Sequence, residues 1–478
     1  MLLFAIMVGC PKKTPDVVPV EAPPFDRSVR PAPLDRGEFA LPEAHTGALS
    51  NGLTVIVVEN HELPLFELRM VSRAGTWTDP EGREGLANAT MDMLNEGTRE
   101  HDAISLSAAL RALGSSVGSS AGLDSSSVSA SGLKKNLEPT LDLWAEVLLQ
   151  PTFPESEWER IEKQSLQAIE ASRKDPNDIA GRVFDRVLYG EVYDGRFRTP
   201  ESVGSLDVEQ MKAWYTAHFV PANSIVLVGG DTTLSEITPL LESRIGSWEA
   251  GDALEAPSFE TTQPAITTLY VVHKADAAQS VIRAGRFVPD RGSDSWNDLY
   301  LGNTVFGGMF TARLNMNLRE DKGWTYGARS TIWHGYGASG WMAYTSVVSE
   351  QTAPSVSEIL AELAGVGAES PLSPDEVAYM KSSRIHGYPA RFENVGSTLG
   401  SESDTWLYGL PDDFADTYLS RMEAVTPEGA QSAFSEYVST QALSILVVGD
   451  LEKNREALAA LGLPMVELDV EGDPISKE

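Results

Sequence analysis

The stretch FVPANSIVLVGGD, residues 219–231, decides the fold, because a similar stretch recurs near the end of the chain. Residues 437–438 (YV), followed by residues 445–450 (ILVVGD), repeat its order of an aromatic residue, an apolar strand and a glycine–aspartate turn. The spacing between Asp231 and Asp450 far exceeds the roughly 20–50 residues of a solenoid repeat. The repeat therefore predicts a duplicated domain rather than a stack of small units.

The elements predicted around these two stretches follow the same order in each half. In the first half we predict strands at residues 53–58, 65–73 and 224–228, a hairpin at 115–131, and helices from 85 and at 105–113, 137–149, 155–172, 179–188 and 208–218. In the second half we predict strands at residues 269–272, 281–287 and 443–448, a hairpin of 326–333 and 340–347, and helices at 296–306 and 311–319. The expected architecture is α+β: two homologous lobes, each an antiparallel sheet with helices packed on it, which face each other as a clamshell.

These elements divide the chain into six segments. They are a lipoprotein leader (1–10), a proline-rich tether (11–45), an N-terminal lobe (46–248), a polar linker (249–266), a C-terminal lobe (267–465) and an acidic tail (466–478).

Composition limits the possible functions. The 478 residues are too many for one compact core, and the 42% share of hydrophobic residues is ordinary for globular proteins. The formal net charge of −32 argues against nucleic acid as a partner, because the phosphates would be repelled. The acidic side chains are spread over helix faces, which favours a role in solubility; a site for basic ligands is the alternative.

The N-terminus resembles a bacterial lipoprotein leader. Residues 1–9 are apolar, and residues 7–10 (MVGC) resemble a lipobox, in which small residues precede the cysteine that carries the lipid. The leader lacks the usual lysine or arginine, and a chance cysteine is the alternative. Cys10 is the one cysteine of the chain, which excludes an intramolecular disulfide and a metal cluster built from cysteines.

The proline-rich composition of the next segment predicts an extended tether. A lipid on Cys10 followed by such a tether predicts a body anchored in the bacterial cell envelope, on the periplasmic face. Pro11 follows Cys10, where an aspartate would indicate the inner membrane, so the outer membrane is preferred. No other segment approaches the roughly 18 apolar residues of a membrane helix.

The stretch GLANATMDMLNEGT, residues 85–98, carries the most informative motif of the first half. It resembles the inverted zinc motif of the pitrilysin/insulinase family of peptidases, which reads Gly-Leu-Ala-His-x-x-Glu-His and closes with Gly-Thr. In that motif two histidines four residues apart share a helix face and bind one Zn²⁺. The glutamate beside them takes the proton of the zinc-bound water.

The residues that would bind zinc are missing. In register, the first histidine falls on Asn88, the glutamate on Met91 and the second histidine on Asp92. Asparagine is a poor zinc ligand, methionine cannot move a proton, and one carboxylate without imidazoles is a weak site. The third ligand of the family, a glutamate on a later helix, falls on Gln167. The seven histidines never occur in a zinc-protease spacing, so a metal site would need distant residues.

The resemblance extends over residues 49–450. The matching landmarks are residues 175–176, 193–195 and 218–223 in the first lobe, and 306–308 and 318–327 in the second. Each piece alone is weak, and their order along the two repeats carries the resemblance. It implies two pitrilysin-like lobes.

The second lobe keeps the arginine–tyrosine pair of the family, at Arg319 and Tyr326. Residues 311–319 are predicted to be helical, Gly323 ends the helix, and residues 324–329 return as a strand, so both side chains can point into one cleft. Both can donate hydrogen bonds to the carbonyl oxygen of a bound peptide, or to the oxyanion formed when that carbonyl is attacked. The alternative is an arginine paired with its acidic neighbours and a tyrosine packed in the strand.

In this family extended peptides bind beside an edge strand, and residues 115–121 are the counterpart here; their small polar side chains also fit the alternative of an ordinary exposed hairpin. Some bacterial members resemble halves of one enzyme, in which one chain holds the zinc and its partner holds the arginine–tyrosine pair. This chain is similar to the second half. The resemblance implies a heterodimer in which the partner, a zinc-binding pitrilysin-like subunit, brings Zn²⁺, while this chain binds no cofactor and contacts extended peptides. A peptide-binding or scaffold lipoprotein without a peptidase role, and a self-sufficient metallopeptidase with an altered metal site, are the alternatives.

Overall fold

The computed structural model describes residues 37, 39–259, 263–336 and 338–475. Within these ranges the strands form two six-stranded sheets. The first sheet contains β1 (Ala44–Ala48), β2 (Thr54–Glu59), β3 (Leu65–Ser72), β4 (Ser116–Ala121), β5 (Ser126–Leu133) and β6 (Ser224–Gly230). The second contains β7 (Thr268–His273), β8 (Gln279–Val288), β9 (Thr325–Trp333), β10 (Ser339–Val348), β11 (Ser444–Gly449) and β12 (Met465–Leu468).

The strand orders show the duplication. The first sheet runs β1-β2-β6-β3-β5-β4 and the second runs β12-β7-β11-β8-β10-β9, so five strands of each sheet correspond one to one. The repeated stretches are β6 and β11, which lie inside the sheets and are buried along their whole length. The predicted α+β architecture of two homologous lobes is confirmed. One detail is corrected: the sheets are mixed, because β6 runs parallel to β2 and β11 runs parallel to β7.

The sixth strands of the two sheets come from opposite ends of the folded body. Strand β1 precedes the first repeat and pairs antiparallel with β2. The last two residues of the segment expected to be a tether, Ala44 and His45, therefore belong to the first lobe. Strand β12 follows the second repeat and pairs parallel with β7. The segment expected to be an acidic tail, residues 466–478, therefore contributes its first three residues to this edge strand. A hydrogen bond from the Ile475 N–H to the Glu467 carbonyl folds the following residues back onto it.

Helices cover both sheets. Those of the first lobe are α1 (Leu86–Met93), α2 (Ala103–Leu113), α3 (Leu137–Leu149), α4 (Glu155–Ser172), α5 (Pro176–Tyr189), α6 (Pro200–Val203), α7 (Val208–His218) and α8 (Leu234–Ile245). Those of the second are α9 (Trp296–Phe306), α10 (Arg313–Asn315), α11 (Thr352–Val366), α12 (Pro374–Gly387), α13 (Val395–Tyr408), α14 (Tyr418–Ala424), α15 (Pro427–Tyr437) and α16 (Leu451–Ala459). No helix in the described ranges combines the length and the apolarity needed to cross a bilayer.

Local sequence fixes several helix starts. The Asp102 side chain accepts a hydrogen bond from the Ser105 N–H at the start of α2. Asp175 caps α5, and proline occupies its first turn, where a missing N–H costs nothing. Ser373 and Glu376 form a reciprocal capping box at α12.

Each sheet packs one face on a core of its own. In the first lobe Met70 of β3, Met91 of α1 and Trp144 of α3 are fully buried together. In the second lobe Phe306 of α9 and Trp341 of β10 are fully buried. Burial of side chains of this size contributes roughly 1.5–3 kcal/mol each. The α1 helix is therefore part of the core of the first lobe.

The lobes contact each other by exchanging helices. Helix α5 of the first lobe lies on the second sheet, where Phe184 packs over Gly285 and Val183 belongs to a cluster with Leu446. Helix α13 of the second lobe lies on the first sheet, where Leu399 belongs to a cluster with Leu227. Because each lobe covers a sheet of the other, the two lobes are fixed together by apolar contact.

One predicted helix differs in its geometry. The helix expected at residues 311–319 consists of the short α10 followed by a wider π-helical turn, Met316–Asp321. In this turn the Lys322 N–H donates to the Asn317 carbonyl, five residues back. Gly323, with a φ of +65°, ends the turn as predicted.

Candidate functional site

Helix α1 occupies the place expected of the zinc helix. Gly85 precedes it with a φ of +102°, and an added Cβ would lie 2.7 Å from the side chain of Arg198, so the position requires glycine. The buried carboxylate of Asp79 accepts hydrogen bonds from the N–H groups of Gly85 (2.7 Å) and Ala87 (2.8 Å). Burial raises the pKa of Asp79 to about 6, and the two donors oppose that shift. Gly85 and the hydrogen bonds of Asp79 therefore hold the start of α1 in place.

The three motif positions on α1 make other contacts. The Asn88 amide donates to the Ala121 carbonyl of β4 at 3.2 Å. Met91 is fully buried, and its carbonyl accepts a hydrogen bond from Ser119 Oγ at 2.6 Å. The Asp92 side chain reaches solvent, although crowding by the surrounding protein raises the pKa of its carboxyl. With no imidazole and only one carboxylate, these residues do not fit a Zn²⁺ ion.

The position of the third family ligand offers no replacement. Gln167 lies exposed on α4, on a helix face shared with Glu162 and Glu170. Helix α4 contacts α1, and an ion pair of 2.6 Å joins Arg160 to Glu96 just beyond α1. Among the described residues, no group of three or more histidine, cysteine, aspartate or glutamate side chains is placed to hold a metal ion.

Arg319 lies in the π-helical turn of the second lobe. Its guanidinium carbon sits 4.6 Å from the centroid of the Phe310 ring, a cation–π contact. The carboxylate of Glu320 lies 3.4 Å from its Nε, and both side chains are partly exposed. An exposed pair of this kind contributes at most about 1 kcal/mol, so Glu320 does not hold the arginine firmly. The pairing with an acidic neighbour that the alternative expected is therefore present but weak, and the aromatic ring orients the guanidinium.

Tyr326 lies on β9, which is the edge strand of the second sheet. Strict alternation would turn Tyr326 to the same side as Ala328 and Ser330, which are buried. A β-bulge prevents this, because two residues of β9, Tyr326 and Gly327, lie opposite one residue of β10. The tyrosine side chain is consequently 91% exposed. The alternative of a tyrosine packed in the strand is excluded.

A buried amide joins the parts of this site. Asn315, fully buried at the end of α10, donates to the Phe310 carbonyl at 2.7 Å and accepts from the Ala328 N–H of β9 at 3.1 Å. It thereby fixes the Phe310 loop beside the edge strand. A second guanidinium, that of Arg329, lies 5.5 Å from the same Phe310 ring. We call the group of Phe310, Arg319, Tyr326 and Arg329 the arginine–tyrosine site.

The structure keeps the two sets of predicted site residues apart. Asn88, Met91 and Asp92 belong to the first lobe, whereas Arg319 and Tyr326 belong to the second. No hydrogen bond, ion pair or ring contact between described residues joins the two sets. Cys10 lies outside the described residues.

Sequence reasoning missed Phe310, Asn315 and Arg329. Only the asparagine carried a signal, because a polar residue between apolar neighbours at the end of a short helix is typical of a buried hydrogen-bonding role. The other two are brought to the site by the loop before α10 and by the strand register, which no local pattern shows.

Comparison with known proteins agrees with this geometry. Residues 54–189 match the family model described as Insulinase (Peptidase family M16), and residues 205–384 match the model described as Peptidase M16 inactive domain. The chain belongs to the insulinase family of peptidases. The resemblance seen in the sequence motifs is thereby confirmed.

Relatives within the insulinase family include proteins with and without an assigned peptidase role. The non-peptidase homolog YmxG of Helicobacter pylori is 23% identical over 409 residues, which cover 84% of this chain and 93% of the relative. An uncharacterized zinc protease of Mycobacterium leprae is 25% identical over 335 residues, which cover 67% of this chain and 73% of the relative.

Solved structures of the insulinase family share the fold. The peptidase M16 inactive domain from Pseudomonas fluorescens superposes with a TM-score of 0.77 at 24% identity and covers 85% of this chain and 98% of its own. The periplasmic protease PqqL from Escherichia coli superposes with a TM-score of 0.72 at 13% identity. That match covers 88% of this chain but 49% of PqqL.

Proposed function

We propose that this chain is the non-catalytic subunit of a two-chain zinc metallopeptidase. It binds extended peptides and offers Arg319 and Tyr326 to a cleft that a zinc-binding family member completes. The observation that carries the proposal is the state of Tyr326. Its side chain is 91% exposed on an edge strand, while the helix that would carry the zinc ligands has Asn88, Met91 and Asp92 in their places.

The exposure of Tyr326 has a cost that suggests a function. An aromatic side chain in contact with water gives up the apolar burial that the same residue gains inside a sheet. A bulge at a sheet edge is a typical way of re-aiming a side chain near a functional site. The hydroxyl of Tyr326 forms no hydrogen bond with any described residue and is available to a ligand.

The neighbouring Arg319 supports the same role. Its guanidinium is oriented by the Phe310 ring, and its one ion pair with a described residue is the solvent-exposed contact with Glu320. A positioned arginine and a tyrosine hydroxyl are donors suited to a peptide carbonyl and to the oxyanion that forms when it is attacked. In the proposed assembly the partner supplies the zinc and the base, and this chain supplies these donors.

Chain length supports a partner of similar size. This chain covers 49% of PqqL, so a protein of that length has room for two such units. The relationship to a protein named as a non-peptidase homolog is consistent with a chain that lacks its own ligands. Together they are consistent with an assembly of one ligand-bearing and one ligand-free unit.

Substitution of the tyrosine tests the proposal. The partner to use is a family member from the same organism that carries intact His-x-x-Glu-His. In the reconstituted pair, Tyr326→Phe is expected to lower the turnover of an extended fluorogenic peptide at least about tenfold, because one transition-state donor is lost. The matched control is Tyr379→Phe, which alters a tyrosine that is 50% exposed on α12. Equal turnover of the wild type and Tyr326→Phe would remove the proposed role.

We further propose that a lipid on Cys10 and the proline-rich residues 11–43, which precede β1, hold the body at the periplasmic face of the outer membrane. The lipobox-like residues 7–10 and the proline-rich composition support this location. Wild-type protein is expected in the outer-membrane fraction with a lipid mass on Cys10, and Cys10→Ala in the soluble fraction. Identical fractionation of both would refute it.

A further inference from the structure

We propose that Arg329 and Arg319 form a carboxylate-binding subsite, so that the arginine–tyrosine site prefers peptides with an acidic side chain. This inference rests on the proposed peptide-binding role and specifies the class of peptide. Arg329 lies on β9, three residues after Tyr326, and shares the ring of Phe310 with Arg319.

The first argument is the state of the Arg329 guanidinium. Its Nη1 atom is buried and has no hydrogen-bond partner, and no ion pair is formed by this side chain within the described ranges. A buried donor left without an acceptor is unfavourable, and more so when the group is charged. The strand position and the Phe310 ring hold the cation in place at that cost.

The second argument is the charge balance of the chain. Acidic residues number 69 against 37 lysines and arginines, so acidic partners are abundant. Arg313, for example, makes a bidentate pair with Glu376, and Arg455 makes one with Glu467. Arg329 has no acidic partner of this kind among the described residues, so its charge is free to pair with an acidic ligand.

The third argument is the shape of the subsite. Two guanidinium groups lie within 5.5 Å of one ring centroid, and Tyr344, 41% exposed on β10, lies directly opposite Arg329 in the strand register. The like charges repel each other, and an anion near both would relieve that repulsion. A carboxylate gains from both cations, whereas a neutral amide gains much less.

The edge strand indicates how the acidic group arrives. Strand β9 pairs on one side with β10. On its other side the Ala328 N–H donates to Asn315 and the Ser330 N–H donates to the Gly307 carbonyl. A peptide would therefore approach at the start of the strand, around Tyr326. A peptide that passes the arginine–tyrosine site in extended form would present alternate side chains to it. The subsite then selects one acidic side chain, while Tyr326 remains available for the backbone.

Peptide binding by this chain alone, without a partner, tests the subsite. The probes are two fluorescein-labelled eight-residue peptides that differ in one position, glutamate or glutamine, measured by fluorescence anisotropy. Wild type is expected to bind the glutamate peptide about tenfold more tightly than the glutamine peptide. Arg329→Gln is expected to reduce that ratio to about one without weakening the glutamine peptide. Arg329→Lys is expected to retain part of the ratio.

Arg111→Gln is the matched control, because Arg111 is exposed on α2 and its guanidinium contacts only Ser107. It should leave the ratio unchanged. Equal binding of both peptides by wild type, a uniform loss for both in Arg329→Gln, or binding of neither peptide would overturn the subsite. Peptide binding is measured without turnover, so the two proposals can fail separately. If the mixture with the partner shows no turnover but wild type prefers the glutamate peptide, the two-chain enzyme is contradicted. If the mixture cleaves peptides but wild type shows no preference for the glutamate peptide, the subsite is contradicted.

Discussion

Replacement of Asn315 by alanine would remove the link that holds the arginine–tyrosine site together. The amide of this buried side chain satisfies the Ala328 N–H, which is itself buried, and the partly buried Phe310 carbonyl. Alanine leaves both backbone groups without a protein partner.

The expected loss follows from these two groups. A buried unsatisfied N–H costs roughly 1–3 kcal/mol, and a partly accessible carbonyl costs less, because water can replace part of the bond. Asn315→Ala should therefore lower the free energy of unfolding of the second lobe by about 2–4 kcal/mol. Because Phe310 and β9 lose their connection, turnover by the reconstituted pair should also fall even where the variant is fully folded.

Urea titration followed by tryptophan fluorescence measures the first effect. The matched control is Asn317→Ala, two residues away in the π-helical turn. The Asn317 amide donates to the partly exposed carboxylates of Glu358 and Glu362, which water can solvate, so a loss within about 1 kcal/mol is expected. If both variants lost the same stability, or if Asn315→Ala lost less than about 1 kcal/mol, the assigned role of the buried amide would be wrong.

Three further predictions concern pH, backbone geometry and the lobe contact. Burial, together with the charge of Asp124, raises the pKa of Asp194 to about 6, so wild type loses stability as pH rises from about 4 to about 6. Asp194→Asn should therefore raise stability at pH 7 by about 1–3 kcal/mol and change it little at pH 4; thermal melts at both pH values check the sign. Gly323→Ala, at a φ of +65°, should cost about 1–2 kcal/mol in urea titration, and no loss would contradict the left-handed turn. Phe184→Ala should cost about 3–5 kcal/mol and increase proteolytic cleavage between the lobes, and unchanged proteolysis would argue against the exchanged helices.

Much of the fold could be predicted, because the apolar residues of a long amphipathic helix recur at a regular spacing in the sequence. The bounds predicted for α3, α4, α7 and α9 agree with the structure. Helices α3, α4 and α7 each have an apolar face, whereas α9 is buried on nearly all sides. The short edge strands β1 and β12 were missed. Their side chains are mostly half exposed, and their place depends on pairing with a distant strand.

Less of the site could be predicted. Arg319 and Tyr326 were named through the resemblance of residues 318–327 to the family's second-lobe signature, but the exposure of Tyr326 depends on a bulge that arises from the register of two strands. The π-helical turn also escaped prediction, because six residues are too few to separate a wider turn from an α-helix by periodicity. Arg329 reaches Phe310 only through the tertiary fold.

The most direct test of the two-chain account is peptide hydrolysis by this chain alone, by the zinc-binding family member alone and by an equimolar mixture, with the zinc content of each protein measured in parallel. The account predicts no turnover and no stoichiometric zinc for this chain, little turnover for the other, and turnover in the mixture at least about tenfold above the sum of the separate rates. Stoichiometric zinc with turnover in this chain alone, or a mixture no faster than that sum, would contradict it.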